Sequence, residues 1–319
     1  MRTLLRQRLA SAAVAAAVLA IPAAGLAAGA VRADLAEDMI GSASAFQTYV
    51  QQASQLRGDF TDAKSVADAL VVGSAYESNQ LLEGEIAYGA VIALQDANFV
   101  RGVREAASDP RRAEALIDEL IADPRGVLRI EGAPAAAAMV ETALQAQGEE
   151  VHRAGRSVKQ AAYDLQRQPW SKETVSNGPA RLARVKAISA ARFSGSQGDA
   201  DRLLRAAMEM RGTVPGRSFA PSTTVQRSLA LAAAAITGQA LGADALELKP
   251  LLQDARAGTC LRMAKLNLYQ CLAVAGPHYE DMFCLGQHAL MDTGKCVSDS
   301  AAPQAGYARE YLGLPRPGG

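Results

Sequence analysis

The only four cysteines of this 319-residue chain, Cys260, Cys271, Cys284 and Cys296, fall in one short stretch, two on each side of a Gly276-Pro277 turn. Cys260 and Cys271 lie in a helical pattern with Leu261, Ala264, Leu268, Leu272 and Ala275. At ~100° per residue, eleven steps return almost to the same helix face, ~16 Å further along. Two such cysteines cannot bond each other, because a disulfide needs Cα atoms within ~7 Å. A second helical stripe follows the turn, through Tyr279, Met282, Phe283, Gly286, Ala289 and Leu290, and is expected to stop near Thr293-Gly294. The pairs 271/284 and 260/296 are both centred on the turn. In an antiparallel hairpin, residues equidistant from the turn face each other. Four cysteines allow three pairings, and the symmetry favours the nested one: Cys260 with Cys296 and Cys271 with Cys284.

Whether thiols become disulfides depends on the compartment, and the N-terminus speaks to that. Arg2, Arg6 and Arg8 precede an apolar run from Leu9 to Ile21, ended by Pro22. Ala28 and Ala30 then form the small-residue pattern that signal peptidase accepts. Residues 1–30 read as a signal peptide cleaved before Val31, or alternatively after Ala33 to expose Asp34. The expected location is the periplasm or the extracellular space, where disulfides persist. Removing 1–30 takes away three arginines and no acid, so the formal charge moves from 0 to −3. A mildly acidic chain without clustered Lys and Arg is a poor nucleic-acid binder. Leu229–Thr237 is apolar but too short to span a bilayer, so no membrane span is expected after cleavage.

Alanine is abundant, aromatic residues make up 5%, and strand-like alternation of Val, Ile, Thr and Tyr is nearly absent. The expected fold is all-α: a two-lobed multi-helix bundle with a disulfide-stapled helical hairpin near the C-terminus. The lobes are read as 31–170 and 171–301, divided in the Pro169–Pro179 segment, with 302–319 as a flexible tail rich in Pro and Gly. Helices are expected from Asp34 to about Leu56, from Thr61 or Asp62 through Val71, over Pro134–Gln168, and over 180–193, 199–211, 222–241 and 246–257. The pattern from Tyr76 to Ala107 is interrupted by Gly84 and Gly89, which either break it or admit a neighbouring helix. Asp109-Pro110 and Asp123-Pro124 look like helix starts.

The nested cysteines resemble twin-cysteine helical hairpins in geometry alone; the spacings of ten and eleven intervening residues sit in a different surrounding chain. A metal site from His278, Cys284 and His288 is the competing use of the same stretch, but no C-x2-C pair supports it, and neither a metal nor a cofactor is expected. No G-x-S-x-G elbow, H-E-x-x-H pair or phosphate-binding loop occurs. His152 reads as a solvated helix residue, and Glu77, Glu83 and Glu85 as a solvated helix edge. The polar residues retained as site candidates are His278, Glu280, His288 and Asp292. The expectation is a non-catalytic envelope protein that binds another envelope protein or a cell-wall component. The alternatives are a periplasmic hydrolase-type enzyme with a site assembled from distant helices, marked by a deep polar cleft, and a small-ligand carrier, marked by an enclosed apolar pocket.

Overall fold

A computed structural model describes residues 37–193, 203, 205, 216–239 and 248–303. The expected signal peptide, most of the expected 199–211 helix and most of the expected tail lie outside them. The described residues are helical, with no strand among them. The helices are α1 (Glu37–Ser54), α2 (Ala63–Ser74), α3 (Ser78–Ala93), α4 (Ala97–Ala106), α5 (Pro110–Ala122), α6 (Ala133–Leu165), α7 (Pro169–Lys172), α8 (Gly178–Ala190), α9 (Thr223–Ile236), α10 (Ala255–Val274), α11 (His278–Cys284) and α12 (Thr293–Ala301).

Side-chain caps account for most helix starts. Asp62 and Ser65 form a reciprocal capping box on α2, while Glu77, Asp96, Asp109, Asn177, Ser222 and Asp254 accept backbone N–H groups at the starts of α3, α4, α5, α8, α9 and α10. Each satisfies donors that the first turn leaves unpaired. The expected Tyr76–Ala107 pattern therefore divides at Asp96 and not at its glycines. Gly84 and Gly89 stay inside α3, where an added Cβ would come within 3.0 Å of Ser42 and Phe46 on α1 or Ser228 on α9. The Asp123-Pro124 start opens a 3₁₀ turn (Pro124–Arg129). Of the expected 246–257 helix, 246 and 247 lie outside the described residues; the rest is a 3₁₀ turn (Lys249–Leu252) followed by the start of α10 at Ala255, capped by Asp254.

The 33 residues of α6 make a spine about 50 Å long. Around it and α3, one hydrophobic core draws on both sides of the expected lobe boundary: Leu144 and Val158 from the first, Leu229, Leu268 and Leu290 from the second.

The hairpin contains the main departure from regular geometry. Leu285–Asp292 is a π-helix, and both its flanking residues, Cys284 and Thr293, have right-handed helical backbone, so the chain is continuously helical from His278 to Ala301. The expected stop at Thr293-Gly294 does not occur. The π segment explains how both bridges form. Cys260 and Cys271 are eleven residues apart, but Cys284 and Cys296 are twelve apart. In an unbroken α-helix the twelfth step leaves Cys296 rotated by about 120° from Cys284. A π turn closes i→i+5 bonds and absorbs one additional residue, which restores the common face. The bridges are nested, Cys260–Cys296 and Cys271–Cys284, each with Cα atoms 5.6 Å apart.

The same one-residue surplus recurs in glycine. Gly148 and Gly155 on α6 are seven apart; Gly286 and Gly294 on the hairpin are eight apart. They meet in antiparallel order. A Cβ on Gly148 would lie 2.5 Å from the Gly294 carbonyl oxygen, and one on Gly155 would lie 2.8 Å from that of Gly286. The two backbones come close at these glycines, with Ser298 and Met291 beside them, and a Cβ would not fit, which is why glycine and not a helix stop stands at 294.

Candidate functional site

The four polar candidates separate into two places. His288 and Asp292 lie in the π segment, where the His288 Nδ1–H donates to Asp292 Oδ2 at 2.8 Å. Gln287 Nε2 donates to the other carboxylate oxygen at 2.8 Å, and Lys159 Nζ reaches Gln287 Oε1 at 2.7 Å. The i→i+5 spacing of Gln287 and Asp292 suits a π turn. Burial raises the Asp292 carboxyl, but hydrogen bonds from His288, Gln287 and Asn267 outweigh it and hold the group below its ordinary range. One turn away, His152 donates from Nδ1 to the Met291 carbonyl at 3.1 Å; it is half-buried, a correction to its solvated reading.

His278 and Glu280 sit at the other end, beside the turn. Glu280 Oε2 accepts from the Gly276 N–H at 2.8 Å, closing the turn onto the first helical turn of α11. His278 donates its backbone N–H to the Glu173 carbonyl at 3.3 Å and lines a cavity of 120 Å³ with Arg181 and Asp281. Burial pushes the His278 imidazole below its ordinary value, with Glu173 opposing and Arg181 adding to the effect. Arg181 pairs with Asp281 and also donates to the carbonyls of Leu272 and Ala275, terminating α10. Burial outweighs that guanidinium and lifts the Asp281 carboxyl to about 6. The expected metal alternative loses a ligand here: Cys284 is bonded to Cys271 and offers no thiolate. Among the described residues, no group of three or more His, Cys, Asp or Glu stands ready for a metal ion.

Among the charged residues that the fold buries are Lys265, which no sequence motif marked, and Glu85, expected at a solvated edge. Lys265 is 5% exposed, and its Nζ donates to the Ser74 carbonyl at 2.7 Å and Ser189 Oγ at 2.8 Å while lying 3.5 Å from the centre of the Tyr76 ring. Burial pushes its pKa well below the usual lysine value, against a favourable contribution from Glu77. Ser189 Oγ in turn donates to Ser74, and the Tyr76 hydroxyl bonds Thr293 Oγ1 at 2.7 Å. Lys265 lies on the buried stripe of Leu261, Ala264, Leu268 and Leu272, so its position was a signal. The second residue is Glu85, expected on a solvated edge and found fully buried, because α3 is enclosed on nearly all sides. Burial lifts its carboxyl to about 8, opposed by a hydrogen bond from Ser300. Glu77 and Glu83 do reach the surface, where they pair with Arg192.

A groove of 430 Å³, with room for a ligand, lies where α6, α10 and α11 meet. Ala162, Tyr163 and Gln166 come from α6 and its C-terminal end; Cys271, Val274 and Ala275 from the end of α10; Tyr279, Glu280, Phe283 and Cys284 from α11. The Cys271–Cys284 bridge therefore forms part of its wall. Tyr163 and Phe283 meet edge to face with ring centres 6.3 Å apart, and Val274 is 85% exposed at the rim. Glu280 is the one candidate that the groove shares.

Fold and site together define an all-helical protein whose C-terminal hairpin is locked by two nested disulfides and walls an aromatic groove. No protein-family model matches the chain, and no curated protein or solved structure matches it. Among the described residues, no helix is long and apolar enough to cross a membrane.

Proposed function

We propose that this is an exported, non-catalytic binding protein of the cell envelope that takes a small, largely apolar ligand in the groove between α6, α10 and α11. The carrying observation is the groove itself: 430 Å³, lined mainly by aliphatic and aromatic groups with Gln166 and Glu280 as its polar members. That volume lies in the usual range for small-molecule sites, as does a lining with few polar groups. The disulfide in its wall holds α10 and α11 together before any ligand arrives, which reduces the ordering cost of binding. Export is supported by the character of residues 1–30 and by two disulfides, which persist in oxidising compartments. The test is titration with an environment-sensitive apolar dye. One dye should bind per folded chain. Val274→Asp, which places a charge at an exposed rim position, should abolish the signal without altering the melting temperature. Unchanged dye binding by that variant would remove the groove from consideration.

The His288–Asp292 pair supports a second reading, a hydrolase in which Asp292 orients His288 as general base. Under that reading, His288→Ala eliminates a measurable ester or glycan hydrolysis by the exported protein, and Asp292→Asn reduces it by about 10²-fold or more. Retention of full activity by both variants would refute it.

A further inference from the structure

The groove has a charge character as well as an apolar one. Three aromatic side chains, Tyr163, Tyr279 and Phe283, and one carboxylate, Glu280, line it, and none of its ten lining residues is Lys or Arg. The face of an aromatic ring carries negative potential and attracts ammonium groups, most strongly when the cation is poorly hydrated. One of these rings already does so within the protein: Lys159 Nζ lies 5.2 Å from the centre of Phe283, held there by Gln287. Among the described residues, no cation sits over the Tyr163 or Tyr279 ring. Glu280 gives one oxygen to the Gly276 N–H, is only partly buried and lines the groove, and no guanidinium or ammonium of the described residues pairs with it. The wall between these groups is apolar: Ala162, Val274, Ala275 and the Cys271–Cys284 bridge.

Resting on the binding reading above, we infer that the groove selects small organic cations, with a methylated ammonium against the Tyr163, Tyr279 and Glu280 side chains and a short apolar arm along Val274 and the disulfide. Methyl groups suit this arrangement because they remove N–H donors that the rings cannot satisfy and lower the cost of leaving water. A volume of 430 Å³ accommodates such a head together with an apolar arm.

The experiment is calorimetric titration of the disulfide-intact protein with butyrylcholine and with 3,3-dimethylbutyl butyrate, its uncharged isostere in which carbon replaces the quaternary nitrogen. Butyrylcholine should bind at least about ten-fold more tightly. Glu280→Gln, which keeps an oxygen acceptor for the Gly276 N–H, should reduce that preference, read as the ratio of the two affinities, by about five-fold. Tyr279→Leu should lower the same ratio of affinities through loss of the ring. Equal binding of the two probes would overturn the cation inference and leave the apolar-ligand reading in place. Failure of both to displace the dye would likewise overturn it, whereas failure of the dye itself to bind would remove both readings together.

Discussion

The hairpin's seam against α6 and the polar interior beside it are built on opposite terms. At the seam, Gly148 and Gly155 meet Gly286 and Gly294 backbone to backbone, and two disulfides hold α10 against the helix that carries the last two glycines. Much of the contact there is with main chain: the Gly294 and Gly286 carbonyls and the Lys159 and His152 backbone. Elsewhere in the same core, Lys265, Ser189, Tyr76 and Thr293 form a polar group around one lysine, and Glu85 stands buried against Ser300. The seam depends on the absence of a Cβ at its glycines, the interior on the match of particular polar side chains. The difference teaches that a seam of this kind tolerates no addition, while a buried polar group makes stability depend on pH.

The largest expected effect is loss of the bridges. On the chain-entropy model, replacing Cys260 and Cys296 together by Ala, with a sequence separation of 36, costs about 4 kcal/mol; replacing Cys271 and Cys284, separated by 13, costs about 3 kcal/mol. Urea unfolding measures both. The shorter bridge should have the greater effect on dye affinity, because it walls the groove. A larger stability loss from the shorter bridge would show that native strain or residual unfolded structure dominates.

Next comes the seam itself. A Cβ at Gly286 would lie within 3.0 Å of the Lys159 backbone, which has no flexible end to move. Gly286→Ala should cost about 2–3 kcal/mol despite alanine's better helix propensity. Gly276→Ala is the control, since nothing lies within 4 Å of that position. Equal melting temperatures for the two variants would break the comparison.

The polar interior should reveal itself in pH dependence of opposite signs. Glu85 has a folded-state pKa near 8 against an ordinary value of 4.5, so between these values the folded state binds the additional proton. Its contribution is complete below about 4.5 and is lost as pH rises through 8, with a slope approaching about 1.4 kcal/mol per pH unit. Glu85→Gln should flatten this fall. Lys265 acts in reverse: its folded pKa is depressed, the unfolded state holds more protons, and stability gains as pH rises from that depressed value towards 10.5. Lys265→Met should remove the alkaline gain. Chemical denaturation from about pH 4 to 10 resolves both, and an unchanged profile in Glu85→Gln would show that this carboxyl is not the source. The smallest effect belongs to Val274→Asp, whose stability should remain within about 0.5 kcal/mol of the parent while its dye binding disappears.

Much of this architecture was determined by the sequence alone. Alanine-rich helical patterns and side-chain caps specify helices locally, because both act within a few residues. The symmetry of the cysteines about Gly276-Pro277 favoured the nested bridges that the structure shows, because an antiparallel hairpin reflects sequence distance from its turn. The spacings even held the π segment's signature, eleven against twelve for cysteine and seven against eight for glycine, although it takes both partners of each pair to read it. Tertiary structure alone decided the burial of Glu85. Glu85 and Glu83 are two residues apart on one helix, yet one is sealed in the core and the other meets Arg192, because α3 is covered by α1, α6 and α9. The groove was decided there as well: Tyr163 and Phe283 are 120 residues apart in sequence, and only the packing of α6 against the hairpin brings their rings together. Caps and periodicity act at short range along the chain, whereas burial and ligand-sized space belong to surfaces that the chain brings together only when it folds.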